Sequence, residues 1–178
     1  MKTPKFLLVS ILCIMLLIHN TKISSCQISA EIHVGIGYTG VDIQEWTYGA
    51  SDWGQMMGQI YVQAFPIRFG GIVVGAEFGF QHYLWYVDDT YGYEHNVDAF
   101  NLMGIVRSQF NENFFAELGF GAYFFGEFTD PGFSAILGYI ININEKLAIP
   151  LKFRTGVVFD KDTNLYPVGI SAGLAYTF

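Results

Sequence analysis

The chain has 178 residues, of which 52% are hydrophobic, 17% aromatic and 14% charged, and its formal net charge at pH 7 is −7. Disordered chains are polar and poor in aromatic residues, so this composition excludes a disordered protein. The length corresponds to about one domain, which argues against a multi-domain enzyme, and the excess of acids argues against nucleic acid as a partner.

The N-terminal segment has the pattern of a secretory signal. Two lysines precede an apolar run over residues 6–18, which is too short for a bilayer-spanning helix because such a helix needs about 20 residues. Ser24 and Cys26 are small residues at the spacing of a signal-peptidase site. We therefore expect residues 1–26 to be a cleaved signal peptide and residues 27–178 to be the mature domain.

An alternative is that Cys26 is lipidated within a lipobox over residues 23–26, although four residues separate that motif from the apolar run. Cys13 and Cys26 are the only cysteines of the chain. Cleavage before Gln27 would leave no cysteine, which would exclude disulfides, zinc–thiolate sites and a cysteine nucleophile.

The mature sequence alternates between apolar residues and polar or small residues with a period of two. This alternation predicts β-strands with two different faces. In the first segment, Ile32 and Ile36 fall on one face, and Glu31 and Gly35 fall on the other. Eight such segments follow one another, near residues 28–39, 55–65, 72–84, 97–110, 114–124, 133–143, 147–157 and 168–178.

The connections between these segments alternate in length. They are short at 66–71, 110–113 and 144–146, and mostly longer and more polar at 39–54, 87–96, 127–133 and 160–167. Short turns at one end and longer loops at the other are typical of outer-membrane barrels, and strands of about ten residues suit a tilted membrane crossing. We predict an all-β fold, an eight-stranded up-and-down antiparallel transmembrane β-barrel. The alternative is a soluble lipocalin-like barrel or sandwich with the apolar face inside.

The predicted inward face carries balanced charges. An eight-stranded barrel has an interior just wide enough for side chains, so we expect these charges to form a paired plug. The alternative is a narrow or gated ion path. Arg107 lies opposite Glu117 if the turn between them centres on Glu112, and opposite Glu77 if the preceding loop centres on Gly92. The predicted lumen network comprises Glu31, Glu77, Arg107, Glu117, Lys152 and Arg154.

Acidic and aromatic residues gather in and beside the predicted long loops. The first 26 residues contain three lysines and no acid, so the remaining chain has six bases and sixteen acids. The loops are either a hydrated surface with interfacial aromatic girdles or a binding surface for divalent cations or an extracellular ligand. No loop has the spacing of a defined calcium loop, so no metal site is predicted. The loop candidates are Asp42, Glu45, Trp46, Asp52, Trp53, Asp88, Asp89, Tyr91, Tyr93 and Glu94.

The C-terminal run alternates apolar and small residues and ends with Leu174, Tyr176 and Phe178. It resembles the C-terminal insertion signal of outer-membrane barrels. The mature chain resembles the small eight-stranded outer-membrane proteins of the OmpX, OmpW and OmpA-barrel type, and the Gln27 start and the run 149–152 are similar to barrels of the Bacteroidetes. The resemblance implies a monomer in a Gram-negative outer membrane, with the barrel-insertion machinery, outer-membrane lipids and lipopolysaccharide as partners and no cofactor.

The sequence contains no convincing catalytic constellation. A hydrolase at the barrel rim needs a base within reach of its nucleophile, and no His-x-Ser motif of the lipid A deacylase kind surrounds His33, His82 or His95. We therefore expect a non-enzymatic protein of the envelope or of surface interaction. The alternatives are a narrow transport path for small or hydrophobic solutes and, third, an outer-leaflet lipid enzyme in which His95 pairs with Ser134 or Ser51.

Overall fold

A computed structural model describes residues 28–43, 55–86, 94–159 and 163–178. Each strand pairs with the next in antiparallel order and the last pairs with the first, which confirms the predicted closed eight-stranded barrel. In the described residues, no helix is long and apolar enough to cross a membrane. The strands are β1 (Ser29–Ile43), β2 (Gln55–Phe69), β3 (Ile72–Tyr86), β4 (Glu94–Gln109), β5 (Phe114–Phe125), β6 (Phe128–Asn142), β7 (Leu147–Phe159) and β8 (Thr163–Thr177).

The two faces of the barrel wall have opposite polarity. On β1, the side chains of Val34 and Ile36 point outward and are 63% and 60% exposed, whereas Glu31 and His33 point inward and are 3% and 0% exposed. Successive residues of a strand face opposite sides, so the alternation carries the apolar residues to the outer wall. A soluble barrel would bury its apolar face, so the lipocalin-like alternative is wrong and the arrangement is that of a transmembrane barrel.

Five connections are shorter than the sequence predicted. Strands β1, β4 and β8 extend into the expected loops over 39–54, 87–96 and 160–167. The expected loop over 127–133 is a tight turn at Gly126 and Glu127, because Gly126 adopts a φ of 60° that lets two residues close the hairpin. The expected turn over 66–71 is also shorter. Strand β2 continues through a bulge between Ala64 and Ile67, and only residues 70–71 form the turn.

Asparagine side chains build the β4–β5 and β6–β7 turns. Asn111 Oδ1 accepts hydrogen bonds from the backbone N–H groups of Asn113 and Phe114, both at 2.8 Å. Asn144 Oδ1 accepts from the N–H groups of Lys146 and Leu147, both at 2.9 Å. These bonds satisfy backbone donors that the ladder leaves unpaired and fix the register of both hairpins. We call this end of the barrel, where the chain also ends, the turn side, and the opposite end the loop side.

Large inward side chains lie flat against glycines on the neighbouring strand. Phe115 is the cross-strand partner of Gly138, and a Cβ at position 138 would lie 2.0 Å from the Phe115 ring. Gln59 lies in the same way against Gly35, where an added Cβ would lie 2.7 Å from its Nε2. The glycines therefore provide the room in which large side chains fill a narrow lumen.

The lumen is apolar towards the loop side and charged towards the turn side. Tyr83, Tyr123, Val158 and Leu165 are buried near the loop-side ends of their strands. The Phe125 ring packs against both tyrosines, and its centroid lies 6.1 Å from that of Tyr83 and 6.3 Å from that of Tyr123. The charged groups lie below this apolar layer.

Candidate functional site: the lumen network and the outer wall

Arg107 on β4 is the centre of the charged layer. Its guanidinium binds the Glu31 carboxylate through two hydrogen bonds, Nη1 to Oε1 at 2.6 Å and Nη2 to Oε2 at 2.7 Å. It also binds Glu117, with Nε 2.7 Å and Nη2 2.6 Å from Oε1. The rings of Phe65 and Phe115 lie 4.1 and 4.4 Å from the guanidinium carbon. Every face and edge of this cation therefore meets a carboxylate or an aromatic ring.

Lys152 on β7 contacts the same two carboxylates. Its Nζ lies 3.0 Å from Glu31 Oε2 and 3.1 Å from Glu117 Oε1, and it donates a hydrogen bond to the Gln63 side-chain oxygen. Two acids and two bases from β1, β4, β5 and β7 thus form one neutral cluster. Such closure matters because an uncompensated charge is costly in a buried site.

Glu77 on β3 belongs to a second pair. Arg154 Nη2 lies 2.5 Å from Glu77 Oε1, and Asn101 Nδ2 donates to the same oxygen at 2.7 Å. Gln63 Nε2 donates to Glu77 Oε2 at 2.8 Å and also contacts Glu117 Oε2 at 3.3 Å. The Gln63 amide therefore links the two charged groups.

Gln63 and Asn101 also point into the lumen, but the predicted network did not include them. The feature that could have identified them is the side-chain amide, because an amide can donate to a carboxylate and accept from an ammonium group at the same time. His33 also lies in the lumen, where its Nε2 is 2.9 Å from Glu31 Oε2 and its ring stacks on Tyr61 at 4.6 Å. The Tyr61 hydroxyl and Ser171 Oγ are 2.6 Å apart.

One expected contact is wrong. Arg107 lies opposite Glu117, as the centring on Glu112 implies, but it does not lie opposite Glu77. The β3–β4 hairpin is centred two residues earlier than assumed, so Met103 faces Glu77 and Val73 faces Arg107. Glu77 consequently pairs with Arg154 across the lumen.

The loop candidates fall mostly outside the described residues. This applies to Glu45, Trp46, Asp52, Trp53, Asp88, Asp89, Tyr91 and Tyr93. Asp42 and Glu94 lie in β1 and β4, where the structure describes their backbone. At the other end of the chain, Leu174 and Tyr176 point outward on β8, and the Tyr176 and Phe178 rings meet edge to face at 5.0 Å.

The two histidines whose side chains the structure describes lack the arrangement of a hydrolytic site. His33 is buried in the lumen, and His82 lies on the outer wall with its Nδ1 2.6 Å from Asp98 Oδ1. Neither has a hydroxyl nucleophile among its described hydrogen-bond partners. A furrow of about 760 Å³ crosses the outer wall, and no histidine or carboxylate lines it. Within the described ranges, no group of three or more possible ligands could hold a metal ion.

An apolar outer wall around a charged, filled lumen defines a small eight-stranded transmembrane β-barrel of the outer-membrane type. No protein-family model and no curated protein sequence matches the chain.

Solved structures share the fold at low sequence identity. OprG from Pseudomonas aeruginosa is 10% identical, with a TM-score of 0.55 over 88% of this chain and 97% of that one. Ail, the attachment invasion locus protein of Yersinia pestis, solved with the heparin analogue sucrose octasulfate, is 10% identical, with a TM-score of 0.52 over 84% and 99%. Neisserial surface protein A is 11% identical, with a TM-score of 0.51 over 84% and 97%. These likenesses establish the fold.

We predict that Arg107→Ala lowers the free energy of unfolding by about 3–5 kcal/mol, the scale of breaking a buried ion pair. The substitution leaves Glu31 and Glu117 with Lys152 as their one remaining cationic partner among the described residues. Urea unfolding of the barrel in lipid vesicles, followed by intrinsic fluorescence, measures the change.

Arg68→Ala is the matched control, because Arg68 lies at the turn-side rim and bonds Gly70 O and Gln109 Oε1, each at 3.3 Å. We expect it to change stability by about 0.5 kcal/mol or less, as for other surface substitutions. Equal losses for the two variants would contradict the central role of Arg107.

Proposed function

We propose that this protein is a non-enzymatic outer-membrane barrel whose filled lumen serves as a rigid scaffold for acidic, aromatic extracellular loops. These loops act in envelope integrity or in surface interaction. The observation that supports the proposal is the lumen network, in which all six charged side chains are 6% exposed or less. A lumen occupied by paired charges leaves the loops and the outer wall as the surfaces that meet other molecules.

The loops favour cationic partners. The mature chain has ten more acids than bases, while three acids and three bases lie in the lumen and compensate one another. The excess therefore belongs to the rest of the chain, above all to the predicted loops. Divalent cations that bridge loop carboxylates to lipopolysaccharide phosphates fit this charge, and so does a basic extracellular ligand. A polyanion such as the heparin analogue bound to Ail would be repelled.

Residues 1–26 are proposed as a cleaved secretory signal, and the C-terminal residues as the signal that the outer-membrane insertion machinery reads. We predict that the protein recovered from outer membranes begins at Gln27. Mass spectrometry of the intact protein and of its N-terminal peptide measures this. A heavier chain that begins with an acylated Cys26 would instead show lipidation and would contradict cleavage before Gln27.

We predict that the purified barrel, inserted into planar lipid bilayers, shows no stable unitary conductance. The reason is that the neutral cluster around Arg107 and the aromatic layer above it occupy the lumen. A mobility difference between boiled and unboiled samples on gels verifies that the inserted protein is folded, and a general porin serves as the positive reference. Reproducible conductance steps from the folded barrel would contradict the proposal and favour a narrow transport path.

We predict that cells displaying the protein bind a polylysine-coated surface and not a heparin-coated one. Replacing Glu45, Asp52, Asp88 and Asp89 by their amides should weaken this binding, because it removes four of the six acidic charges among the loop candidates. The matched control replaces Glu112 and Glu145 of the turn side by glutamine, which should leave the binding unchanged. Equal binding by all three forms, or binding to heparin, would overturn the role assigned to the loops.

A further inference from the structure

The outer wall carries one histidine–carboxylate pair among the side chains that the structure describes. His82 on β3 and Asp98 on β4 are cross-strand partners and both point outward, with side chains 40% and 58% exposed. Charged groups on the lipid-facing wall of a barrel are destabilising at the bilayer midplane and tolerated near the interfaces. The pair therefore indicates a place where the wall meets polar material.

The position of the pair along β3 agrees with an interface. Ten residues separate it from Ile72, where β3 begins on the turn side. At about 3.3 Å per residue and a tilt of about 40°, this corresponds to a height of about 25 Å, which is the height of the apolar band of such barrels. His82 and Asp98 thus lie where the apolar band ends on the loop side, at the level of the outer-leaflet headgroups.

The geometry leaves one nitrogen and one oxygen of the pair available on the outward side. His82 Nδ1 is 2.6 Å from Asp98 Oδ1, and the carboxylate accepts, so Nδ1 carries the proton. His82 Nε2 and Asp98 Oδ2 make no hydrogen bond with the described residues. An imidazole nitrogen and a carboxylate oxygen therefore face the lipid side by side.

An aromatic surface lies directly below the pair. Phe80 and Phe100 are cross-strand partners one outward position further down, with ring centroids 5.2 Å apart, and the Phe78 ring lies 6.0 Å from that of Phe100. This surface is suited to hydrocarbon chains, since aromatic side chains have large apolar faces. Polar groups above and aromatic rings below are complementary to a lipid with a hydrogen-bonding headgroup.

We propose that His82 and Asp98 bind sugar hydroxyls of an outer-leaflet glycolipid of the lipid A type, while Phe78, Phe80 and Phe100 contact its acyl chains. Hydroxyl groups fit the pair because they donate to the carboxylate and can either donate to or accept from Nε2. A phosphate fits less well, because the Asp98 carboxylate beside the imidazole repels it.

The test compares four proteins in phosphatidylethanolamine–phosphatidylglycerol vesicles with and without purified lipid A. They are the wild type, the double variant His82→Leu/Asp98→Leu, the single variant Asp98→Asn and the control Thr155→Val. The double variant leaves no unpaired charge on the lipid-facing wall, so it is expected to fold. Thr155 is an exposed outward residue of β7, remote from the pair. The midpoint of thermal unfolding, read from the heat-dependent gel shift, is the measured quantity.

Lipid A should raise the midpoint of the wild type and of Thr155→Val, because a ligand that binds only the folded state stabilises it. The double variant should lose most of this rise, and Asp98→Asn should lose part of it. An undiminished rise in the double variant would overturn the site. So would an equal rise with additional phosphatidylglycerol in place of lipid A, which would show a response to anionic lipid alone. Loss of the rise with dephosphorylated lipid A would show phosphate recognition and would overturn the assignment to sugar hydroxyls.

Discussion

The compensation of buried charge in the lumen is the constraint on which the rest of the barrel depends. Arg107 and Glu31 are 76 residues apart in the chain, and Arg154 and Glu77 are 77 apart. These pairs therefore form only when distant strands have been brought around the same interior. Before closure, Glu31 and Glu77 would lack these arginine partners, and an unpaired charge is costly once it is buried. The network thus couples the correct register of β1, β3, β4 and β7 to closure of the sheet.

The same constraint explains the interlocking of large residues with glycine. A narrow lumen that must hold six charged side chains has no room for upright aromatic rings around them. Phe115 lies flat against Gly138 and thereby presents its ring to Arg107 at 4.4 Å. Gln63 Nε2 then donates to Glu77 Oε2, the oxygen beside the one that Arg154 binds. Packing and electrostatics are consequently coupled in this interior, because the position of each ring determines where the cation can lie.

The sequence was sufficient to predict the faces of most strands, since a period of two assigns residues alternately to the wall and the lumen. It left β6 undecided, because Ile136 and Ile140 make both of its faces apolar. It also placed Arg107 opposite Glu117, because a short asparagine-capped turn leaves little freedom of register. It could not place Glu77, since a longer loop allows hairpins centred two residues apart without changing any face. The expected loop over 127–133 contains Pro131 and Gly132, yet both lie in β6 because Gly126 already turns the chain. Contacts across the lumen, such as Arg154 with Glu77, follow from closure and have no local signal.

Because side chains fill the lumen, the surfaces that can meet other molecules lie on the outside of the barrel. At 10–11% identity, this chain and the solved barrels share a fold that the alternation of residues is enough to specify. The residues that distinguish such proteins from one another must then lie where the alternation does not determine the residue type. These places are the loops and the exceptional positions on the wall. His82 and Asp98 are such an exception. An apolar pair at those positions would satisfy the alternation equally well, so the fold gives no reason for a histidine and an aspartate there, whereas contact with a polar headgroup does.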